Sequence, residues 1–281
     1  MRRVLICLVL VVGCSRSSNY GGGHDGANPD SSTDGPSRDA PGLDASPSES
    51  GSDSAAPDSA RADSVVSAPG LIALYLFDEG SGTVVKDHTA LQPLLDLHIA
   101  QPASVTWQAD GLEFHNTTIA QSPLAAQKVI DACKKSNTVT VEAWITPTSN
   151  YQMGEARIVT ISDGSMNRNL TLLHQESSFV VRLRTSTTDD NGAPYLHGPL
   201  GITTSKLTHL VFTRSAAVDG DLKAGRGQAG DFSTWDASFR LAIANEINDP
   251  RPWLGTFHML AIFDRALDAA EVKQRFQAGP P

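Results

Sequence analysis

From Leu71 to Phe263 the chain carries eight short runs of β-branched, aromatic and aliphatic residues, set apart by polar turn segments. They are "LIALYLF" (71–77), "TVTVEAWITP" (138–147), "RIVTISD" (157–163), "NLTLLHQ" (169–175), "FVVRLRT" (179–185), "KLTHLVFTR" (206–214), "FRLAIAN" (239–245) and "GTFHMLAIF" (255–263). Alternation and β-branching make each a strand. The turn-rich "SDGSMNRN" (162–169) sits between two of them as a meander connection. Many short strands with almost no helix between them predict an all-β sandwich or jelly roll rather than strand–helix–strand units.

Two helices interrupt the pattern. In "SPLAAQKVIDACKK" (122–135) Ser122 is the expected N-cap, Pro123 occupies N1, and Lys134 and Lys135 complement the helix dipole. Ala126, Val129, Ile130 and Cys133 share one face, so Cys133 reads as a buried small hydrophobe. In the second helix, over 268–277, Asp268 and Glu271 form a capping-box pattern and Leu267 and Val272 a hydrophobic staple. Val272 and Phe276, four apart, are its docking face. The strand before it, "GTFHMLAIF", is apolar on both faces and is expected to lie covered on both sides.

"LIALYLFDEGSGTVVKDHTA", "TVTVEAWITP", "LTHLVFTR" and "WLGTFHMLAIFDRALDAAEV", in that order, resemble the laminin-G-like, concanavalin-A-like lectin/glucanase superfamily. The resemblance implies a curved jelly-roll sandwich of two antiparallel sheets, a fold that often accompanies carbohydrate or protein binding but hosts many functions. Two departures bear on sites. Where members of the family commonly carry an acidic pair this chain has His258 and Met259, and the hairpin between Arg214 and Asp219 is short.

The N-terminal part is different material. Arg2 and Arg3 precede the apolar "VLICLVLVVG", a leader pattern too short to span a membrane. Gly13–Cys14 resembles a bacterial lipobox, which implies cleavage before Cys14 and lipidation of its sulfur; the alternative is an ordinary secreted chain with Cys14 incidental. Residues 15–69 are rich in Ser, Asp, Gly, Pro and Ala, with nine acids against Arg16, Arg38 and Arg61. So little apolar surface cannot offset the ordering entropy, and a tether is expected, with an r.m.s. reach of roughly 40 Å. The expected organisation is a leader over 1–13, a lipidated tether over 14–69 and one domain over 70–281. The expected location is the bacterial cell envelope, at the outer membrane or cell surface, held by the N-terminal lipid. With Cys7 removed and Cys14 lipidated, Cys133 has no partner for a disulfide.

The 70–281 region holds 22 acidic and 17 basic residues, net −5, which argues against nucleic acid as a partner. Catalytic patterns are missing. There is no Glu-x-Asp-x-x-Glu carboxylate array, no Gly-x-Ser-x-Gly and no His-Glu-x-x-His; Glu142 stands alone on its strand. A non-catalytic module is expected, for carbohydrate or alternatively for a surface protein. Tyr151, Tyr195 and Trp235 are the aromatic ligand-binding candidates, the latter two on loops where function concentrates. Trp144 reads as core and Trp253 as a plug at the sandwich edge. Asp78 and Asp87 beside a glycine turn offer hard oxygen donors for a structural calcium ion, or else simply make the turn.

Overall fold

The computed structural model describes residues 68–214 and 229–281, with the backbone of Val4–Ile6. Cys14, residues 15–67 and the short hairpin segment 215–219 lie outside the described residues.

The strands form two sheets that pack face to face as a jelly-roll sandwich. In the first, of seven strands, Thr208–Arg214, Val139–Pro147 and Gly255–Phe263 lie side by side, and the last also pairs with Leu71–Tyr75 and Gly111–Phe114. Val105–Gln108 closes one edge; Val4–Ile6 runs parallel along Thr208–Leu210 at the other. The second sheet, of eight strands, is centred on Gln152–Gly164, Asn167–Glu176 and Ser178–Leu183, with Arg240–Ile243 joining the first of these. All these pairings except that of Val4–Ile6 are antiparallel.

Gly255–Phe263 is buried on both faces, as its composition requires. Phe257, Leu260 and Ile262 enter the inter-sheet core with Phe77, Phe114, Phe212, Ile161 and Phe179. Phe257 packs against Phe77 at 5.3 Å, edge-on to Phe114 at 5.6 Å and to Trp253 at 4.9 Å, which places Trp253 as the expected plug. Met259, Ala261 and Phe263 face the other way, into a second apolar cluster with Leu71, Leu74, Trp144, Val211, Leu267 and Val272.

The C-terminal helix, Ala269–Ala278, covers that cluster. Asp268 accepts from the Glu271 amide at 2.8 Å and the Glu271 side chain accepts from the Asp268 amide at 3.0 Å, so the capping box is complete. Phe276 lies parallel to Trp144 at 6.0 Å. Beneath the helix Glu142 does not stand alone: it meets the buried His209 imidazole at 2.8 Å and accepts from Arg275 at 3.2 Å. The first helix differs from expectation. It spans Gln127–Ser136 rather than beginning at Ser122, because the Ser122 hydroxyl is committed to the Leu241 amide and the Leu124 carbonyl. Cys133 is fully buried, and burial pushes its thiol pKa far up, which removes thiolate chemistry.

Full burial of Val272 contributes about 1.5–3 kcal/mol, with the half-buried Phe276 adding to it, and about 1 kcal/mol moves the melting temperature of a domain this size by roughly 2–4 °C. Truncation after Leu267 should therefore lower the melting temperature by several degrees in thermal denaturation; an unchanged melt would refute the docking.

Candidate functional site

The outward face of the second sheet, opposite the core, carries an unusual set of side chains. In strict alternation Arg157 would share the core side with Val159 and Ile161, and Arg168 with Leu170 and Leu172. Two irregularities in the pairing of Gln152–Gly164 with Asn167–Glu176 reverse this. One falls where Val159 and Arg157 oppose Leu172 and Leu173; the other lies between Arg168 and Leu170. Each inserts a residue, Ile158 or Asn169, and turns the neighbouring arginine outward. Ile158 is held through its carbonyl, which accepts from Ala244, and Asn169 by a two-way side-chain bond with the Asp236 backbone at 2.8 Å. Arg182 reaches the same face by alternation alone, opposite Thr171, which in turn pairs with Thr160.

Arg157 and Arg182 are tied to two carboxylates. Arg157 Nε donates to Glu246 at 2.8 Å and its Nη1 to Glu155 at 3.1 Å. Arg182 also donates to Glu155, and the Ser162 hydroxyl to Glu246. Arg157, Arg168 and Glu246 are essentially inaccessible; Glu155 is the partner nearest solvent. Burial opposes the charge on Glu155, yet hydrogen bonds and charge from Arg182 and Arg157 hold its carboxyl below the usual range. Burial, reinforced by the neighbouring Arg157 charge, brings Arg168 down to about 10. On the core side of the same sheet His174 packs against Phe179 at 5.3 Å, and burial lowers its pKa to about 4.

The sequence candidates distribute unevenly around this face. Tyr195 is 37% exposed, its ring 4.1 Å above the Arg182 guanidinium and 4.9 Å from His197. Tyr151 is exposed just before the strand that bears Glu155, and makes no ring contact with Tyr195 among the described residues. Trp235 is a correction. Its indole is buried, stacks on Phe232 at 4.4 Å and donates to the Arg184 carbonyl at 2.8 Å, so no ring face is open to a ligand. Asp87 is a second correction. Its two oxygens accept from the amides of Leu74, Thr89 and Leu95, the Thr89 hydroxyl and the Lys128 ammonium, which leaves no lone pair for calcium. Asp78 instead groups with Glu79 and His88, whose ligand atoms lie within 4.8 Å of one another. An imidazole in that set suits a transition metal better than calcium. Arg157, Arg168, Arg182, Glu155 and Glu246 escaped the sequence reading. Only Arg182, between core residues in "FVVRLR", carried a periodic signal.

The model of the concanavalin A-like lectin/glucanases superfamily matches residues 121–273. The chain belongs to this superfamily. Solved structures agree on the fold. A sialidase of Trypanosoma rangeli in complex with sialic acid is 16% identical, with a TM-score of 0.52 over 77% of this chain and 35% of its own. The binding domain of botulinum neurotoxin serotype D/C is 11% identical, with a TM-score of 0.53 over 74% of this chain and 52% of its own. A botulinum neurotoxin type C structure, described as dependent for cell entry on two ganglioside molecules, is 10% identical at 0.54, covering 74% of this chain and 51% of that one. The superfamily domain thus spans between a third and about half of these larger proteins, and at such identities the likeness is one of fold. No curated protein matches the sequence.

Two measurements probe the second sheet. Replacing Glu246 by Ala leaves the buried Arg157 Nε without its acceptor while Glu155 still pairs with Nη1, and should destabilise by about 1–3 kcal/mol in denaturant unfolding. Acid should act in two steps. His174 binds a proton less readily folded than unfolded, so stability falls as pH drops from about 6.5 to about 4. The depressed Glu155 carboxyl gives stability that is present above its ordinary pKa and is lost as pH falls below it. His174→Leu should flatten the upper step and leave the lower, read from unfolding midpoints against pH.

Proposed function

We propose that this superfamily member is a non-catalytic carbohydrate-binding module, taking saccharide on the outward face of its second sheet. The observation that carries this is the Tyr195 ring, partly exposed and held in place over Arg182, beside the polar pair that Arg182 makes with Glu155. Sugar sites combine an aromatic face for the apolar side of the ring with a few fixed polar groups for its hydroxyls. The carboxylates nearest this face, Glu155 and Glu246, are tied to arginines, and Glu142 is tied to His209 and Arg275, which favours binding over acid–base chemistry. The ganglioside named for the type C toxin and the sialic acid named for the sialidase support carbohydrate as the ligand class.

The module would be displayed from a bacterial envelope by the lipid on Cys14 and the acidic tether over 15–69, with the domain beginning near residue 70. Among the described residues no helix is long and apolar enough to cross a membrane.

Tyr195→Ala should weaken glycan binding on the order of tenfold, about 1.4 kcal/mol, with the melting temperature little changed. A glycan array followed by titration checks this, and silence on every glycan would favour a protein partner instead. Cys14→Ser should move the protein from the detergent phase to the aqueous phase; a mutant that stays with membranes would refute lipidation.

A further inference from the structure

On the outward face of the second sheet three guanidinium groups present more donors than the described residues satisfy. Arg168 is fully buried, and among the described residues its guanidinium makes one hydrogen bond, to the Thr171 hydroxyl at 3.5 Å, the limit of such a bond. Its Nε and Nη2 have no acceptor, and neither do Arg157 Nη2 and Arg182 Nε. Buried donors left unpaired are costly, so an arrangement that keeps four of them across three neighbouring side chains calls for an acceptor.

The charges point the same way. Arg157, Arg168 and Arg182 face Glu155 and Glu246, and the adjoining Arg251 is matched by Asp249 at 3.2 Å. Among the described residues the cluster holds one more cation than anions. A purely structural ion-pair network has no use for that surplus, and Arg168 is the member with no carboxylate of its own. Two strand irregularities are spent on bringing Arg157 and Arg168 to this face, which packing alone would not require. Guanidinium forks match the planar carboxylate and the tetrahedral sulfate with parallel N–H···O bonds. Arg182 links the cluster to the exposed aromatic ring, since it lies directly beneath Tyr195.

We propose that Arg182, backed by the buried charges of Arg157 and Arg168, forms a subsite for the oxyanion of an acidic saccharide, a carboxylate or a sulfate ester, while Tyr195 carries the neighbouring sugar ring. This rests on the carbohydrate reading above. Glu155, whose side chain keeps 22% of its surface exposed, is the carboxylate that an incoming anion would replace at Arg182.

The test titrates the full chain, at fixed ionic strength, with oligogalacturonides, sulfated galactose oligomers and neutral galactose oligomers of equal length. One acidic series should bind at least about tenfold more tightly than the neutral one, and which of the two does so names the oxyanion. Arg168→Gln should erase that difference; if circular dichroism shows it unfolded, the more accessible Arg182→Gln takes its place. Equal binding of acidic and neutral oligomers would overturn the subsite and leave the carbohydrate module standing. Silence on these oligomers and on a full glycan array would overturn the module itself. A thermal shift with inorganic sulfate, lost in Arg168→Gln but unaccompanied by any acidic oligomer binding, would refute the saccharide as the anion's carrier.

Discussion

The strand Gly255–Phe263 is the member on which the rest of the structure depends, because it is wetted on neither side. Phe257, Leu260 and Ile262 hold the two sheets together through one core; Met259, Ala261 and Phe263 hold the C-terminal helix through another. Alternation alone would put Phe257 and Met259 on one side. The pairing shift between them, at His258, lets one strand serve both clusters. His258 is then held at the rim by Thr146 at 2.9 Å and the Asp110 carbonyl at 2.6 Å. With the first sheet closed over by a helix, the face of the sandwich left for polar chemistry is the outer side of the second sheet.

That outer side shows a different economy. Apolar side chains of similar volume would stabilise such a surface at least as well as buried ion pairs, whose desolvation offsets most of their attraction. Arg157, Glu246 and Arg168 nonetheless sit there without solvent contact. Neighbouring loops are fastened to the cluster as well: the Arg168 amide donates to the Asp190 carbonyl, and the Arg157 amide to the Arg251 carbonyl. The positions of the guanidinium groups are thus set by backbone bonds rather than by side-chain flexibility, the condition a preorganised binding surface needs.

Local signals were legible where they involved few residues close in sequence. The capping box at Asp268 and Glu271, the staple of Leu267 on Val272, and the burial of Cys133, Trp144 and Trp253 all follow from spacing and composition. Ser122 misled because a serine before Pro123 suits a helix start, while its hydroxyl is claimed by Leu241, more than a hundred residues away. Trp235 misled for a related reason. A tryptophan in a polar loop looks exposed until Phe232 and the Arg184 carbonyl take up its ring and its N–H.

By itself the sequence determined the class of fold, since short alternating strands cannot bury their apolar faces except by stacking sheets. It also determined where the C-terminal helix starts, through the capping box at Asp268 and Glu271. Only the tertiary structure decided the site. Arg157 and Arg168 read as core-side positions in any alternating scheme, and each is turned outward by one inserted residue whose backbone is held from a distant strand or loop. Pairing of Glu246 with Arg157, and of Tyr195 with Arg182, depends likewise on segments far apart in the chain. Periodicity records which side of a strand a residue prefers; a bulge overrides it at the price of a long-range contact that no local pattern contains.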